Sequence, residues 1–304
     1  MSEYLPAESV EPAALHAFLD RCRRPDGSDA LSEHKATRVG RRGEVHEVVG
    51  VGPLGALESY AQAAWHGQPG SQIGGHWAVE VATDPGSPAR ADVAGLVGSL
   101  RMQLPEGPRV AVWAFNDTVA ADLAAAGYEE TRRLLRLEAQ LPLETKAVLP
   151  GRVRLERFVA GRDEAAWLEL NNTAFSGHPE NGALEHDDVA ERLRHDWFDP
   201  EGFLMAWDGP RLVGSCWTKL HDGAVGEIYI IAVHPDEQGR GIGRALVASG
   251  AGYLERVRGA RRLMLYTEGG NEAALSLYKA LGFEVGAVSN QMELIDSGES
   301  QPNR

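Results

Sequence analysis

The sequence predicts a mixed α/β fold, an α+β arrangement in which helices cover a mixed sheet, repeated in two tandem copies. Three observations predict it. Beyond residue 150, apolar runs of strand length alternate with stretches of helical periodicity. A weak internal repeat is also present. NDTVAADLAAAGYE (116–129) matches NEAALSLYKALGFE (271–284), with the glycine at the same remove from the asparagine (127 − 116 = 282 − 271). Upstream, HWAVEVATDP (76–85) lines up with GEIYIIAVHP (226–235), in the same order and at nearly the same offset. Finally, QLPLETKAVLPGRV (140–153) carries two prolines and separates the two periodic regions, as a linker does. The expected division is a first domain over 1–140, a linker over 141–152 and a second domain over 153–304.

In the second domain the elements read in order. Residues 153–158 form a strand, and 163–175 and 185–196 form helices. Residues 203–207 and 212–219 are neighbouring strands joined by the turn DGPR. A long apolar strand covers 227–233, and an amphipathic helix covers 240–258. A strand over 263–267, a helix over 271–281 and a final strand or pair over 285–294 complete it.

Composition narrows the function classes. Apolar residues make up 43%, enough for a sizeable core. A net charge of −14 argues against a general binder of nucleic acid or anionic membrane. The two cysteines, Cys22 and Cys216, are far apart and in no metal-like spacing, which suits a reducing cytoplasm. No apolar run approaches the ~20 residues of a membrane span. A cytoplasmic monomer is expected, with no nucleic-acid or membrane partner.

The segment HPDEQGRGIGRALV (234–247) holds Q-x-x-G-x-G from Gln238 to Gly243, after an apolar strand and before a helix. Glycines let the backbone turn sharply and present N–H groups inward, and a helix N-terminus adds its dipole. Arg240 and Arg244 add charge, so the turn suits a pyrophosphate. It is neither G-x-x-x-x-G-K-[ST] nor a dinucleotide fingerprint after a first strand. On these residues alone, an ordinary strand-to-helix turn stays open. In the first copy the turn reads DPGSPARADVAG (84–95): Ala91 and Val93 stand for Gly241 and Gly243, Trp77 for Glu227 and Leu123 for Tyr278. The expectation is a working second copy and a degenerate first one.

Q-x-x-G-x-G after a strand ending V-x-P, followed by Asn271, Ala274, Tyr278, Gly282 and Phe283 in the pattern N-x-x-A-x-x-x-Y-x-x-x-G-F, resembles the GCN5-related N-acetyltransferase (GNAT) family. The resemblance implies two tandem GNAT acyl-CoA N-acyltransferase domains, the N-terminal one degenerate, with acetyl-CoA as co-substrate and no metal. Backbone N–H groups of Gln238, Gly239, Arg240, Gly241, Ile242, Gly243 and Arg244 would hold the pyrophosphate. Ile231, Ala232 and Val233 would pair with the pantetheine arm like an added strand. Asn271, Glu272, Ala273, Ala274, Leu275 and Ser276 would flank the thiol end.

Further segments, NNTAFSGHPENG (171–182), WFDPEGFLMAW (197–207), SCWTKLH (215–221) and LYTEGGNEAALSLYKALGF (265–283), are similar to the two-domain members of that family that complete a small-thiol cofactor. Those members acetylate the cysteine amine of a cysteinyl-glucosaminyl-inositol. By that pattern Glu33, Glu180, Lys219, Glu227 and Tyr266 would contact the acceptor; without it, Glu180, Lys219 and Tyr266 each read equally as a surface charge or a strand aromatic.

The chemistry follows from the groups present. An α-amine with a pKa of roughly 7.7–8.0 must lose a proton before attacking a thioester. Glu227 is the candidate general base, through a water, and Tyr278 the candidate acid for the departing sulfur. A solvated strand-end glutamate and a core tyrosine are the plainer alternatives. A backbone N–H of a bulged strand near residues 231–233 would polarise the thioester oxygen. His178, before Pro179, reads as a residue that fixes its loop. No cluster has metal spacing and no Ser-His-Asp pattern stands out, so no acyl-enzyme is expected. Two other readings remain: an acetyltransferase for an antibiotic amine or a protein N-terminus, and an acyl-CoA sensor without turnover, against which Glu227 and Tyr278 argue.

Overall fold

The computed structural model describes residues 3–23, 30–41, 43–66, 75–86, 92–176, 178 and 184–295, with the side chains of Glu33 and His34 outside the description. The chain divides into two compact units, Met1–Arg133 with Ser289–Arg304, and Leu134–Val288.

The first unit contains β1 (Glu3–Pro6), α1 (Pro12–Arg21), α2 (Glu33–Ala36), β2 (Val45–Val51), β3 (Leu57–His66), β4 (His76–Thr83), α3 (Val93–Arg101), β5 (Arg109–Ala114) and α4 (Asp117–Ala125). It also holds the start of β6 (Tyr128–Gln140) and the end of β12 (Glu284–Leu294). Its strand order is β1-β2-β3-β4-β5-β12, with β4 and β5 parallel and the other registered neighbours antiparallel.

The second unit contains β7 (Arg154–Arg157), α5 (Glu164–Ala174), α6 (His186–Leu193), β8 (Phe203–Asp208), β9 (Arg211–His221), β10 (Val225–Val233), α7 (Ile242–Arg256), β11 (Arg262–Glu268) and α8 (Glu272–Lys279). Its order is β7-β8-β9-β10-β11-β6, with only β10 and β11 parallel. The two units therefore repeat one topology, as the sequence repeat anticipates.

The compact units divide the chain at places other than the expected boundaries. The last strand of each copy does not stay where the sequence order would leave it. Leu134–Gln140 of β6 pair with β11 in the second unit, and Asn290–Glu293 of β12 pair with β5 in the first. The boundaries at 140 and 153 follow proline punctuation, whereas the strand ladders divide the chain inside β6 and inside β12. Residues 141–153 do lack helix and strand, but they are not a free tether. Leu141, Leu143 and Leu149 pack on the second unit's core, and Leu141 N donates to Arg261 O at 3.0 Å. The final strand is single, not a pair.

Both copies keep the same helix punctuation. Asn116 caps α4 by accepting from Val119 N at 2.9 Å, and Asn271 caps α8 by accepting from Ala274 N at 3.1 Å. Gly127 and Gly282 follow those helices with φ of 90° and 85°, which a Cβ would strain.

The second unit's sheet is covered on both faces. Cys216, Ile228, Leu263 and Leu265 meet Ile242, Leu246 and Val247 of α7 and Tyr278 of α8 on one face. Phe203, Met205, Trp217, Ile230 and Ala232 meet Trp167 of α5 on the other. Each fully buried aliphatic side chain here stabilises the fold by roughly 1.5–3 kcal/mol relative to exposure. Helix α7 lies so close to the sheet that a Cβ on Gly250 would stand 2.8 Å from the Cys216 sulfur.

Candidate active site

Strands β10 and β11 are paired from Val225–Arg262 to Ile228–Leu265 and no further. On its other side β10 stays paired to β9 as far as Val233. The sheet thus opens after Ile228, and among the described residues Ile230–Val233 have no partner strand on the β11 side. A bulge starts the opening: Ile228 faces Thr218 and Ile230 faces Trp217, so Tyr229 is the extra residue. The bulge expected near Ile231–Val233 is therefore at Tyr229, directly before the strand edge that it frees.

At the mouth of the opening lies the glycine turn. Gly239 and Gly241 have φ of 75° and 86°, and Gly241 is the N-cap of α7 with no side-chain cap. Among the described residues, no acceptor takes the backbone N–H groups of Gly239, Arg240, Gly241, Ile242, Gly243 or Arg244; the first α7 amide to be used is Ala245 N, on Gly241 O. Six consecutive free donors at the positive end of a 15-residue helix make an anion cradle. Arg240 turns back to Glu237 in an ion pair, which reduces the charge it lends the cradle, while Arg244 is exposed at the turn. Gln238 sends its side-chain amide to Val233 O at 3.4 Å, tying the turn to the end of β10. The three elements converge: a Cβ on Gly243 would lie 3.4 Å from Leu277 of α8 and 3.7 Å from Val233 of β10.

Glu227, the third residue of β10, is 7% exposed and sits opposite Lys219 on β9. Its Oε2 lies 2.6 Å from Nε2 of His221. An ionised carboxylate only accepts, so Nε2 carries the proton of this bond. Among the described residues Glu227 has no other hydrogen-bond or ion-pair partner, which leaves Oε1 open. Lys219 is also buried, with Nζ 4.4 Å from the Trp197 ring centroid and 5.8 Å from that of Tyr229.

Side chains alternate along β10, so Glu227 points away from α7 while Ile228 points toward it. Tyr278 packs with Ile228 and Cys216 on the α7 face. The two candidate proton-transfer groups therefore project on opposite faces of the sheet, beside the place where β10 and β11 part. Tyr278 is 5% exposed, and among the described residues its hydroxyl makes no hydrogen bond. Burial, then the nearby Cys216 thiol, raises the Tyr278 pKa above the ordinary phenol value. Burial also pushes the Cys216 thiol up to about 12, so it stays protonated and is a poor nucleophile.

The remaining predicted residues are distributed as follows. Ala232 is buried, and Ile231 and Val233 are half-buried on the freed edge. Asn271 spends its side chain on the α8 cap, and the amides of Glu272, Ala274 and Leu275 already have acceptors, so this helix start is not a second anion cradle. Ala273 and Ser276 lie in α8. Tyr266 is 42% exposed on β11, two residues beyond Met264, the register neighbour of Glu227. His178 Nε2 lies 3.6 Å from Glu268. Glu33 opens α2, but its side chain lies outside the described residues, as does Glu180 altogether. No group of three or more His, Cys, Asp or Glu is placed to hold a metal among the described residues, and no helix among them is long and apolar enough to cross a membrane.

Sequence reasoning gave no role to His221, Trp197 or Tyr229. Asp222–Gly223 marks a turn in the sequence, but it is the three-residue turn Asp222–Ala224, pairing His221 with Val225, that places His221 diagonally beside Glu227 on one face.

A sheet opened between two parallel strands, with an anion cradle at its mouth, defines the class: an acetyltransferase of the GNAT type. A model of the acetyltransferase (GNAT) family matches residues 165–283. The chain is 39% identical over 289 residues to a mycothiol acetyltransferase of Geodermatophilus obscurus, covering 91% of this chain and 92% of that one. Among solved structures it is similar to a GCN5-related N-acetyltransferase from Sphaerobacter thermophilus, with a TM-score of 0.72 and 22% identity over 97% of this chain and 96% of that one. It is also similar in fold to a tandem GNAT protein from the clavulanic acid biosynthesis pathway, with a TM-score of 0.66 and 15% identity over 98% of this chain and all (100%) of that one. The chain belongs to the mycothiol acetyltransferase family, and it is an acetyl-transferring enzyme.

Proposed function

We propose that the protein transfers the acetyl group of acetyl-CoA to the cysteine amine of cysteinyl-glucosaminyl-inositol, the last step of mycothiol biosynthesis. The observation that carries this reading is the opening after Ile228, with a buried carboxylate on one face and a neutral phenol on the other. The identity with a mycothiol acetyltransferase supports the acceptor.

The free amides of Gly239–Arg244 suit the pyrophosphate, and the unpaired edge of Ile231–Val233 suits the amide-bearing pantetheine arm. The substituted thioester then stands where the strands part. Glu227 takes a proton from the acceptor ammonium, directly or through a water, and the neutral amine attacks the thioester carbon. The new C–N bond forms, the nitrogen of the tetrahedral intermediate releases its second proton to solvent, the C–S bond breaks, and the Tyr278 hydroxyl supplies a proton to the departing sulfur and regains one from solvent. A base for the amine and a separate acid for the sulfur match the two proton transfers of addition and elimination through a tetrahedral intermediate. Cys216, held neutral, gives no reason for an acyl-enzyme. Glu33, Glu180, Lys219 and Tyr266 are proposed acceptor contacts, suited to a ligand rich in hydroxyls.

The test is acetyl-CoA consumption with three acceptors: cysteinyl-glucosaminyl-inositol, an aminoglycoside and a peptide N-terminus. Release of CoA with the first at a kcat/KM at least about tenfold above the others is expected. Turnover with a peptide and none with the cysteinyl glycoside overturns the reading.

A further inference from the structure

We infer that His221 is a positioning residue for acetyl transfer, holding one oxygen of Glu227 so that the other faces the acceptor amine; this rests on the function proposed above. The inference starts from the asymmetry of the Glu227 carboxylate. Oε2 is fixed by His221 Nε2 at 2.6 Å, and Oε1 has no partner among the described residues. Lys219, the cross-strand neighbour, is not a hydrogen-bond or ion-pair partner of Glu227 among the described residues; its Nζ lies near the rings of Trp197 and Tyr229. Among the described residues the carboxylate is thus oriented by one hydrogen bond, that to His221.

The geometry of the hairpin explains why that bond is dependable. His221 ends β9 and is paired with Val225, and a short turn with Gly223 at φ 71° joins the two strands. Glu227 lies two residues further along β10, so the two side chains are diagonal neighbours on one face. The imidazole has few torsions and reaches the carboxylate from the rim of the sheet, where its side chain is 32% exposed while that of Glu227 is 9% exposed. A base whose free oxygen swings away from the amine loses the alignment that makes attack effectively unimolecular.

His221→Ala removes the donor, and His221→Gln keeps a side-chain N–H able to reach a carboxylate oxygen. Both variants and the wild type are assayed for kcat, for KM of each substrate and for CoA affinity. His221→Ala is expected to lose roughly 10–100-fold in kcat with the acetyl-CoA KM and CoA affinity unchanged, because the cradle lies elsewhere in the unit. His221→Gln is expected to recover kcat to within about fivefold of wild type, since the donor is restored. Should the alanine variant fail to bind CoA, His221→Leu, which fills the space without a donor, is read in its place by the same criteria. Wild-type kcat without the donor overturns the inference. So does a glutamine variant as slow as alanine. Neither result touches the proposed function, which fails only if the wild type does not acetylate the cysteinyl amine.

Discussion

The side chain of Asn271 accepts the backbone N–H of Ala274 at 3.1 Å, closing the first turn of α8. Asn116 does the same for α4, in a unit whose copy of the glycine turn is broken. A residue kept in both copies serves the fold before it serves a ligand. Asn271→Ala is expected to destabilise the second unit by about 1 kcal/mol, while Asn271→Asp keeps the cap. Denaturant unfolding measures the first effect. An aspartate variant of wild-type stability that no longer binds CoA would show that the amide touches the cofactor directly.

Gly241 and Gly243 sit in one motif but fail differently when substituted. Gly241 has φ 86°, a conformation that costs an L-residue roughly 1–2 kcal/mol. Gly243 is helical, and its Cβ would meet Leu277 at 3.4 Å, a contact a small shift relieves. Gly241→Val is expected to raise the acetyl-CoA KM by about tenfold or more, because re-aiming the turn scatters the six amides. Gly243→Ala is expected to raise it less. Equal KM values for Gly241→Val and wild type would detach the cradle from cofactor binding.

Tyr278 gives a pH prediction whose sign follows from burial. Its pKa is raised, so the neutral form is favoured and deprotonation moves to higher pH. The wild type is then expected to keep its activity on the alkaline side to about pH 10, with the rise on the acid side set by deprotonation of the acceptor amine. Tyr278→Phe should lower kcat by about 10²-fold, by the same factor at about pH 7 and about pH 9. A wild-type alkaline loss near pH 9 that disappears in Tyr278→Phe would mean the phenol titrates within that range.

Direct transfer predicts a kinetic pattern. Both cysteines are buried with thiols pushed up to about 12, Cys22 by burial and then Asp84, Cys216 by burial alone. Neither supplies a thiolate near neutral pH. Initial rates with both substrates varied should give intersecting lines, and mass spectrometry after acetyl-CoA alone should find no acetylated protein. Parallel lines with an acetyl adduct would require an acyl-enzyme.

Much of this site is legible in sequence because it is built from local rules. The turn at Gln238–Gly243, the helices at α7 and α8 and the repeat of Asn116 and Asn271 are all written in short-range spacing. What sequence hides is set by pairing. The fates of Leu134–Gln140 and of Asn290–Glu293 depend on which strand each finds, and nothing local specifies that. The bulge at Tyr229 shifts alternation by one residue, so the strand pattern misplaces it by two positions or more. His221 is invisible as a partner of Glu227 until the hairpin register is known. The opposite faces of Glu227 and Tyr278 likewise emerge only once both elements are packed.

Asp92 bears on how many cofactors the chain holds. It caps α3 of the first unit, as Gly241 caps α7 of the second, one residue away from the Ala91 that the sequence repeat aligns with Gly241. Its carboxylate accepts the Gly95 N–H at 2.8 Å, and its carbonyl accepts the Tyr4 hydroxyl at 3.1 Å. A built-in anion thus sits at the helix start where the second unit offers six free amides. A phosphate brought there would lose that donor to the carboxylate and be repelled by it. Calorimetric titration is expected to give one CoA per chain, and Gly241→Val is expected to weaken that single event without exposing a second. A stoichiometry of two, or a residual site of wild-type affinity in Gly241→Val, would show that the first unit binds the cofactor in spite of Asp92.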